Sequence, residues 1–270
     1  MPELPEVETT RRGIAPHLIG RKVQQVLVRQ PSLRWPVSDN LGQRLTGQTI
    51  DAVDRRAKYL LVRTRAGDMM IHLGMSGSLR VLAADTPPAK HDHIDILLSD
   101  GRLLRYRDPR RFGSVFWLEA SAGHPLLAEL GPEPLDESFS GDYLFRQSRD
   151  RKTPVKTFIM NSQVVVGVGN IYANEALFAS GIRPTRMAGS ISRARFGKLA
   201  EAIKVVLTSA IAAGGTTLRD FTHEDGSPGY FRNDLKVYGR GALPCVACRR
   251  VLTEVRLGQR TTVYCRHCQR

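Results

Sequence analysis

Two Cys-x2-Cys pairs, Cys245 with Cys248 and Cys265 with Cys268, constrain the fold of this chain more than any other feature. They contain all four cysteines of the sequence, and sixteen residues separate the pairs. Four thiolates at this spacing match a tetrahedral structural zinc site that staples a hairpin. Two disulfides are the alternative, but close Cys-x2-Cys pairs behind a start that carries no export signal argue against them. Residues 231–270 also hold nine Arg or Lys against Asp234 and Glu254, a net of +7. A zinc hairpin with that charge reads as a groove or phosphate reader, with a stabilising knob as the plainer alternative.

That tail carries half of a larger excess, since the whole chain of 270 residues has a net charge of +14 and a pI near 10.2. Such a balance points to a polyanion, either nucleic acid or an acidic membrane surface. No apolar run reaches the roughly 18 residues of a membrane span, and the arginines are dispersed over strands and loops instead of lining one amphipathic helix. Nucleic acid is the favoured partner, with no membrane, in a monomer of cytoplasmic, nucleoid-associated location.

Hydrophobic periodicity divides the chain into an α+β multidomain protein. Residues 5–18 read as a helix, with Pro5 early and Val7, Ile14 and Leu18 on one face. Short strand-like runs follow, and the clearest hairpin joins 93–98 to 103–106 through Asp100-Gly101, which predicts a tight two-residue turn. Residues 1–122 therefore form a β-rich domain, and the Gly- and Pro-containing stretch 123–134 a linker. Residues 135–225 form a helical domain, with helices at 170–179 and along Phe196, Leu199, Ile203, Val206 and Ala210, ended by Gly214-Gly215. Residues 226–270 complete the chain with the zinc module.

The start, Met1-Pro2-Glu3-Leu4-Pro5-Glu6, supports two readings. One is a helix start, with proline in the first turn and carboxylates at the positive end of the dipole. The other is chemical. Removal of Met1 would leave the Pro2 secondary amine free, and a terminal amine titrates near roughly 7.7–8 and attacks electrophilic carbon.

Six strings then appear in one order: Met1 to Gly13; Arg56-Ala57-Lys58-Tyr59-Leu60; His72-Leu73-Gly74-Met75-Ser76-Gly77; Asp108-Pro109-Arg110-Arg111-Phe112-Gly113; Val168-Gly169-Asn170-Ile171-Tyr172-Ala173; and the four-cysteine finger. Together they resemble the bacterial formamidopyrimidine-DNA glycosylase family over essentially the whole chain. The resemblance implies an N-terminal β-sandwich, a helix–two-turn–helix domain and a β-hairpin zinc finger. It implies a DNA repair enzyme acting on double-stranded DNA with oxidised purines, chiefly 8-oxoguanine and formamidopyrimidines, which then cuts the strand by β- and δ-elimination.

By the same resemblance Pro2 is the nucleophile at C1′ and Glu3 the acid that assists ring opening and base departure. Glu6 is a further carboxylate near the site or simply a first-turn helix carboxylate. Lys58 matches the phosphate contact that moves a proton in β-elimination, and Arg260 the finger residue tied to phosphate binding and δ-elimination. Met75, Arg110 and Phe112 match the triad that fills the gap left by the extruded nucleotide, with Arg110 facing the orphaned cytosine. His91, Arg151, Lys156 and Asn170 match further DNA contacts. Residues 216–230 match a loop that covers the extruded purine, and Cys245, Cys248, Cys265 and Cys268 hold one zinc.

Two other readings remain. A relative of the endonuclease VIII type shares the start, helical domain and finger but prefers oxidised pyrimidines; Met75 and the 216–230 segment favour the purine enzyme. A noncatalytic lesion binder would need the basic surface, wedge and finger, but not Pro2, Glu3 and Lys58 together.

Overall fold

The computed structural model describes residues 2–119, 123–215 and 235–270. Met1 and the 216–230 segment expected to cover the purine lie outside the described residues. The chain forms two compact units, Met1–Ala128 with Ala213–Tyr230, and Glu129–Ala212 with Phe231–Arg270. The chain passes from one unit to the other after Ala128, Ala212 and Tyr230, and Glu129–Ala212 shares its unit with the finger.

The first unit begins with α1 (Leu4–Leu18), followed by β1 (Val23–Val28) and the short α2 (Leu41–Leu45). Seven strands follow: β2 (Ala52–Arg56), β3 (Tyr59–Thr64), β4 (Gly67–His72), β5 (Ser78–Ala83), β6 (Asp92–Leu98), β7 (Arg102–Arg107) and β8 (Ser114–Glu119). They form two four-stranded sheets, ordered β1-β6-β7-β5 and β2-β3-β4-β8, antiparallel throughout. One core draws Leu60, Val62, Met69 and Ile71 from one sheet, and Ile94, Ile96, Leu104 and Tyr106 from the other. Val7, Ile14 and Leu18 of α1 enter the same core, as the helical spacing requires. This is the expected β-sandwich with a leading helix, and α3 (Pro125–Ala128) lies near its end.

The turn at Asp100-Gly101 differs from expectation. Strands β6 and β7 are joined by three residues, Ser99-Asp100-Gly101, with Leu97 opposite Leu103. Gly101 donates its N–H to the Leu98 carbonyl and adopts φ +79°. The left-handed glycine closes a three-residue loop and restores the register, which Asp-Gly serves as well as it serves a two-residue turn.

The second unit contains α4 (Gly141–Ser148), α5 (Val155–Ile159), α6 (Asn170–Ala179) and α7 (Arg193–Ala212), then the hairpin β9 (Thr253–Leu257) and β10 (Arg260–Tyr264). Ser140 caps α4 by accepting the Tyr143 N–H at 3.2 Å. α6 spans the expected residues, and Gly214 and Gly215 follow α7 with φ +75° and +80°. On α7 the core stripe is Phe196, Leu199, Ile203, Leu207 and Ala210. Val206 is only half-buried, because Ala200 and Ile211 are buried too and, at 3.6 residues per turn, centre the buried face on the Leu207 side of Ile203.

The finger is tied to the helices by specific hydrogen bonds. Asn174 Oδ1 accepts the Val263 N–H at 3.0 Å, and Gln269 Nε2 donates to the Ile182 carbonyl at 2.9 Å. The Glu175 carboxylate, 4% exposed, accepts three consecutive N–H groups from Lys236, Val237 and Tyr238 at 2.8–3.0 Å. Among the described residues no helix is long and apolar enough to cross a membrane.

Candidate functional site

Pro2 lies buried immediately before α1, and Glu3 is the helix N-cap. A capping box closes this end: Glu6 Oε2 accepts the Glu3 N–H at 2.9 Å, while the Glu3 carboxylate accepts the Glu6 N–H. Both carboxylates are buried, at 2% and 1% exposure. Glu6 thus has the structural role foreseen for it, and the role holds the peptide that joins Pro2 to Glu3. Gly215, in the second chain segment of the same unit, packs on Glu6; a Cβ there would stand 3.3 Å from Glu6 Cγ.

One turn further along α1, Glu8 receives Arg11 at 2.9 Å, Arg12 at 2.8 Å and Arg55 at 3.2 Å. Burial alone would raise the Glu8 pKa, but hydrogen bonds from Arg11 and Arg12 and the charges of Arg11 and Arg55 hold it down at about 2. Arg55 Nη1 also donates to the Ala57 carbonyl at 2.9 Å, within the two-residue turn between β2 and β3 that carries Lys58. Ala57 adopts φ +55°, so the Lys58 turn is held in a conformation that side chains other than glycine seldom take. His72, on β4, is pushed down to about 4 by burial and then by the Lys58 and Arg34 charges. It stays neutral at physiological pH, with its Nδ1 accepting the Gly74 N–H at 3.1 Å.

Met75, His91, Arg110 and Phe112 come from three neighbouring loops of the first unit. The Met75 turn touches the Phe112 loop at Gly74, φ +63°, where an added Cβ would stand 2.3 Å from the Phe112 carbonyl carbon. Only glycine permits that approach. Phe112 is 43% exposed, and the Arg110 guanidinium stacks over its ring at 4.8 Å. His91 and Arg111 have φ +77° and +55°. Left-handed backbone thus occurs at three non-glycine positions, Ala57, His91 and Arg111, each at or beside an expected DNA-facing side chain. Asp108, absent from the sequence-based expectations as a site residue, sits fully buried beneath the Met75, His91 and Phe112 loops and bonds to all three. Its place at the head of Asp-Pro-Arg-Arg-Phe-Gly was the available signal.

In the second unit Arg260 is exposed directly after the hairpin turn Gly258-Gln259. Both turn residues have positive φ, +53° and +60°, as a type I′ turn requires. Arg151 is exposed beside a cavity of about 340 Å³ lined by Thr153, Thr157 and Asn161. Asn170 is the first residue of α6, after Gly169, and its buried Oδ1 has no partner among the described residues. Lys156 differs from expectation. It is 1% exposed, and its ammonium donates to the Thr261 carbonyl at 2.9 Å and to Thr262 Oγ1 at 2.7 Å. Its charge is used inside the protein to hold β10 next to Arg260, and not on a surface.

The four cysteine sulfurs lie within 4.8 Å of one another, and none is in a disulfide. The contacts Cys245–Cys268 at 3.9 Å and Cys248–Cys265 at 3.5 Å bracket the separation of about 3.8 Å that four 2.3 Å Zn–S bonds impose. The residues fit one zinc ion.

Family models match along the whole chain: the formamidopyrimidine-DNA glycosylase N-terminal domain at residues 1–115, the H2TH domain of the same enzymes at 130–222, and a zinc finger found in FPG and IleRS at 242–270. Formamidopyrimidine-DNA glycosylases of Stenotrophomonas maltophilia (strain R551-3) and Stutzerimonas stutzeri (strain A1501) are each 62% identical over 270 residues, covering 100% of both chains. Among solved structures, the MutM (Fpg) protein of Thermus thermophilus is 38% identical with a TM-score of 0.89, over 99% of this chain and 98% of that one. A Lactococcus lactis Fpg mutant in complex with Fapy-dG-containing DNA superposes with a TM-score of 0.92 at 31% identity, covering 100% of each chain. Fpg of the same organism with abasic-site DNA gives 0.91 at 30% identity, covering 99% of each.

Proposed function

Since the chain belongs to the formamidopyrimidine-DNA glycosylase family, we propose that it opens damaged nucleotides through the amine of Pro2 and then cuts the strand. It is a DNA glycosylase of base excision repair that acts on oxidised purines. The capping box that holds the Pro2–Glu3 peptide carries the mechanistic part of this reading.

Removal of Met1 frees a secondary amine at Pro2. Its lone pair attacks C1′, and the base departs with the electrons of the glycosidic bond and takes up the proton that the Pro2 nitrogen loses. Glu3 protonates O4′ as the C1′–O4′ bond breaks, which leaves an iminium between Pro2 and C1′. The iminium acidifies the C2′ proton; Lys58 handles that proton as the 3′ phosphate leaves. Loss of the C4′ proton then expels the 5′ phosphate, with Arg260 on the phosphate. Met75, Arg110 and Phe112 fill the gap in the duplex, and His91, Arg151 and Asn170 hold its backbone. Lys156 serves DNA through the finger that it supports. Zinc, when bound to the four cysteines, fixes the hairpin that carries Arg260 and does no chemistry of its own. The protein works as a monomer in the cytoplasm, on the nucleoid.

Borohydride trapping tests the reading. Incubation with an 8-oxoguanine duplex should give a covalent adduct that Pro2→Gly abolishes. An adduct undiminished by that change would overturn the mechanism. Faster release from a thymine-glycol duplex than from 8-oxoguanine would overturn the substrate class.

A further inference from the structure

We propose that Asp108 is the positioning residue of the wedge: a buried carboxylate that locks three DNA-facing loops together before DNA arrives. The inference rests on the reading above of Met75, Arg110, Phe112 and His91 as groups that replace an extruded nucleotide.

Asp108 has no solvent exposure. Its Oδ1 accepts the Ser76 hydroxyl at 2.6 Å and the Arg110 N–H at 3.3 Å. Its Oδ2 accepts the Gly113 N–H at 2.8 Å and the Tyr106 hydroxyl at 3.1 Å. The backbone of Asp108 extends the tie to the third loop. Its N–H donates to the His91 carbonyl at 3.1 Å, and its own carbonyl meets His93 Nε2 at 2.8 Å. Ser76 doubles the link, since its oxygen also accepts the Arg110 N–H at 3.1 Å.

Four neutral donors from two loops and one strand therefore converge on a single acceptor-only group. A carboxylate has about four lone-pair sites and no donor, so it can satisfy all of them; an asparagine turns one end into a donor and leaves two of them facing an N–H₂. Burying a negative charge is costly unless such hydrogen bonds surround it. What the arrangement achieves is a fixed spacing among Met75, Arg110 and Phe112, with left-handed backbone at His91 and Arg111 held against relaxation. Side chains that must enter a duplex together gain from having their loops ordered beforehand, because no ordering entropy is then spent at insertion. A single-stranded abasic site requires no wedge, so its reaction with Pro2 should be indifferent to the lock.

The test compares Asp108→Asn and the milder Ser76→Ala with the parent full-length, zinc-loaded protein. Each is trapped with borohydride on the same abasic site placed in a duplex and in a single strand. The duplex-to-single-strand ratio of trapping rates should fall about tenfold for Asp108→Asn and a few-fold for Ser76→Ala, as expected for displaced positioning groups. General misfolding would lower both substrates together and leave the ratio alone. An unchanged ratio in both variants, whatever the overall rates, would overturn the role of Asp108. A parent protein that formed no adduct on either substrate would instead overturn the Pro2 reading, and this inference with it.

Discussion

Glu6 Oε2 accepts the backbone N–H of Glu3 at 2.9 Å, so the peptide that carries Pro2 is held by the first turn of the helix behind it. The helix start and the proposed nucleophile are parts of one construction. The N-terminal residues of a chain are ordinarily poorly ordered unless tied down, and this bond is the tie.

Replacing Glu6 with Ala should therefore act twice. The lost cap should lower stability by about 1 kcal/mol, and adduct formation should slow at least several-fold. Glu6→Gln retains an acceptor for the Glu3 N–H and should keep most of both. Thermal unfolding and trapping rates on one preparation of each variant check this; equal trapping rates for Ala and Gln would disconnect the cap from the chemistry.

Acid stability should reflect Glu8. Its folded-state pKa of about 2 lies below the ordinary 4.5, so its contribution is complete above pH 4.5 and is lost as pH falls from 4.5 toward 2. The full value is at most about 3.5 kcal/mol, since each pKa unit corresponds to about 1.4 kcal/mol. Urea unfolding of the parent should weaken over that interval, and Glu8→Gln should flatten the profile. An equally steep profile in the variant would place the acid sensitivity elsewhere.

Salt dependence distinguishes Lys156 from Arg151. A phosphate contact lowers the slope of log affinity against log salt by about 1 when removed. Arg151→Ala should do so, because the side chain is exposed. Lys156→Met should weaken binding by loosening β10 while leaving the slope unchanged, because its ammonium is committed to Thr261 and Thr262. A slope lowered by about one for Lys156→Met would return it to the phosphates.

Chelation of zinc should loosen the finger and weaken DNA binding by an order of magnitude or more. Both tryptophans, Trp35 and Trp117, belong to the first unit, so their emission should not change as binding is lost. A shift in emission at the same chelator concentration would show that the sandwich depends on the metal.

Much of this was legible in the sequence. Helices α1, α6 and α7 followed from apolar spacing and from Pro5, Gly169 and Gly214, and the zinc site from four cysteines whose sulfurs do converge. Pro2 and Glu3 stand out as candidates because position in the chain is itself the signal. What escaped was side-chain direction. Lys156 reads as one more cation in a basic stretch, and only the packing of α5 against the finger turns it inward. The length of the turn at Gly101 depends on strand register, which Asp-Gly does not specify. Asp108 is one acid among 26 acidic residues until the fold brings Ser76, Arg110 and Gly113 around it.

The measurement that bears most directly on the central claim is the location of the trapped sugar. Proteolysis of the borohydride adduct and mass spectrometry should place the deoxyribose remnant on the nitrogen of Pro2, in a peptide that lacks Met1. A remnant on Lys58 or any other lysine, or on the amine of a retained Met1, would contradict the assignment of Pro2 as the nucleophile.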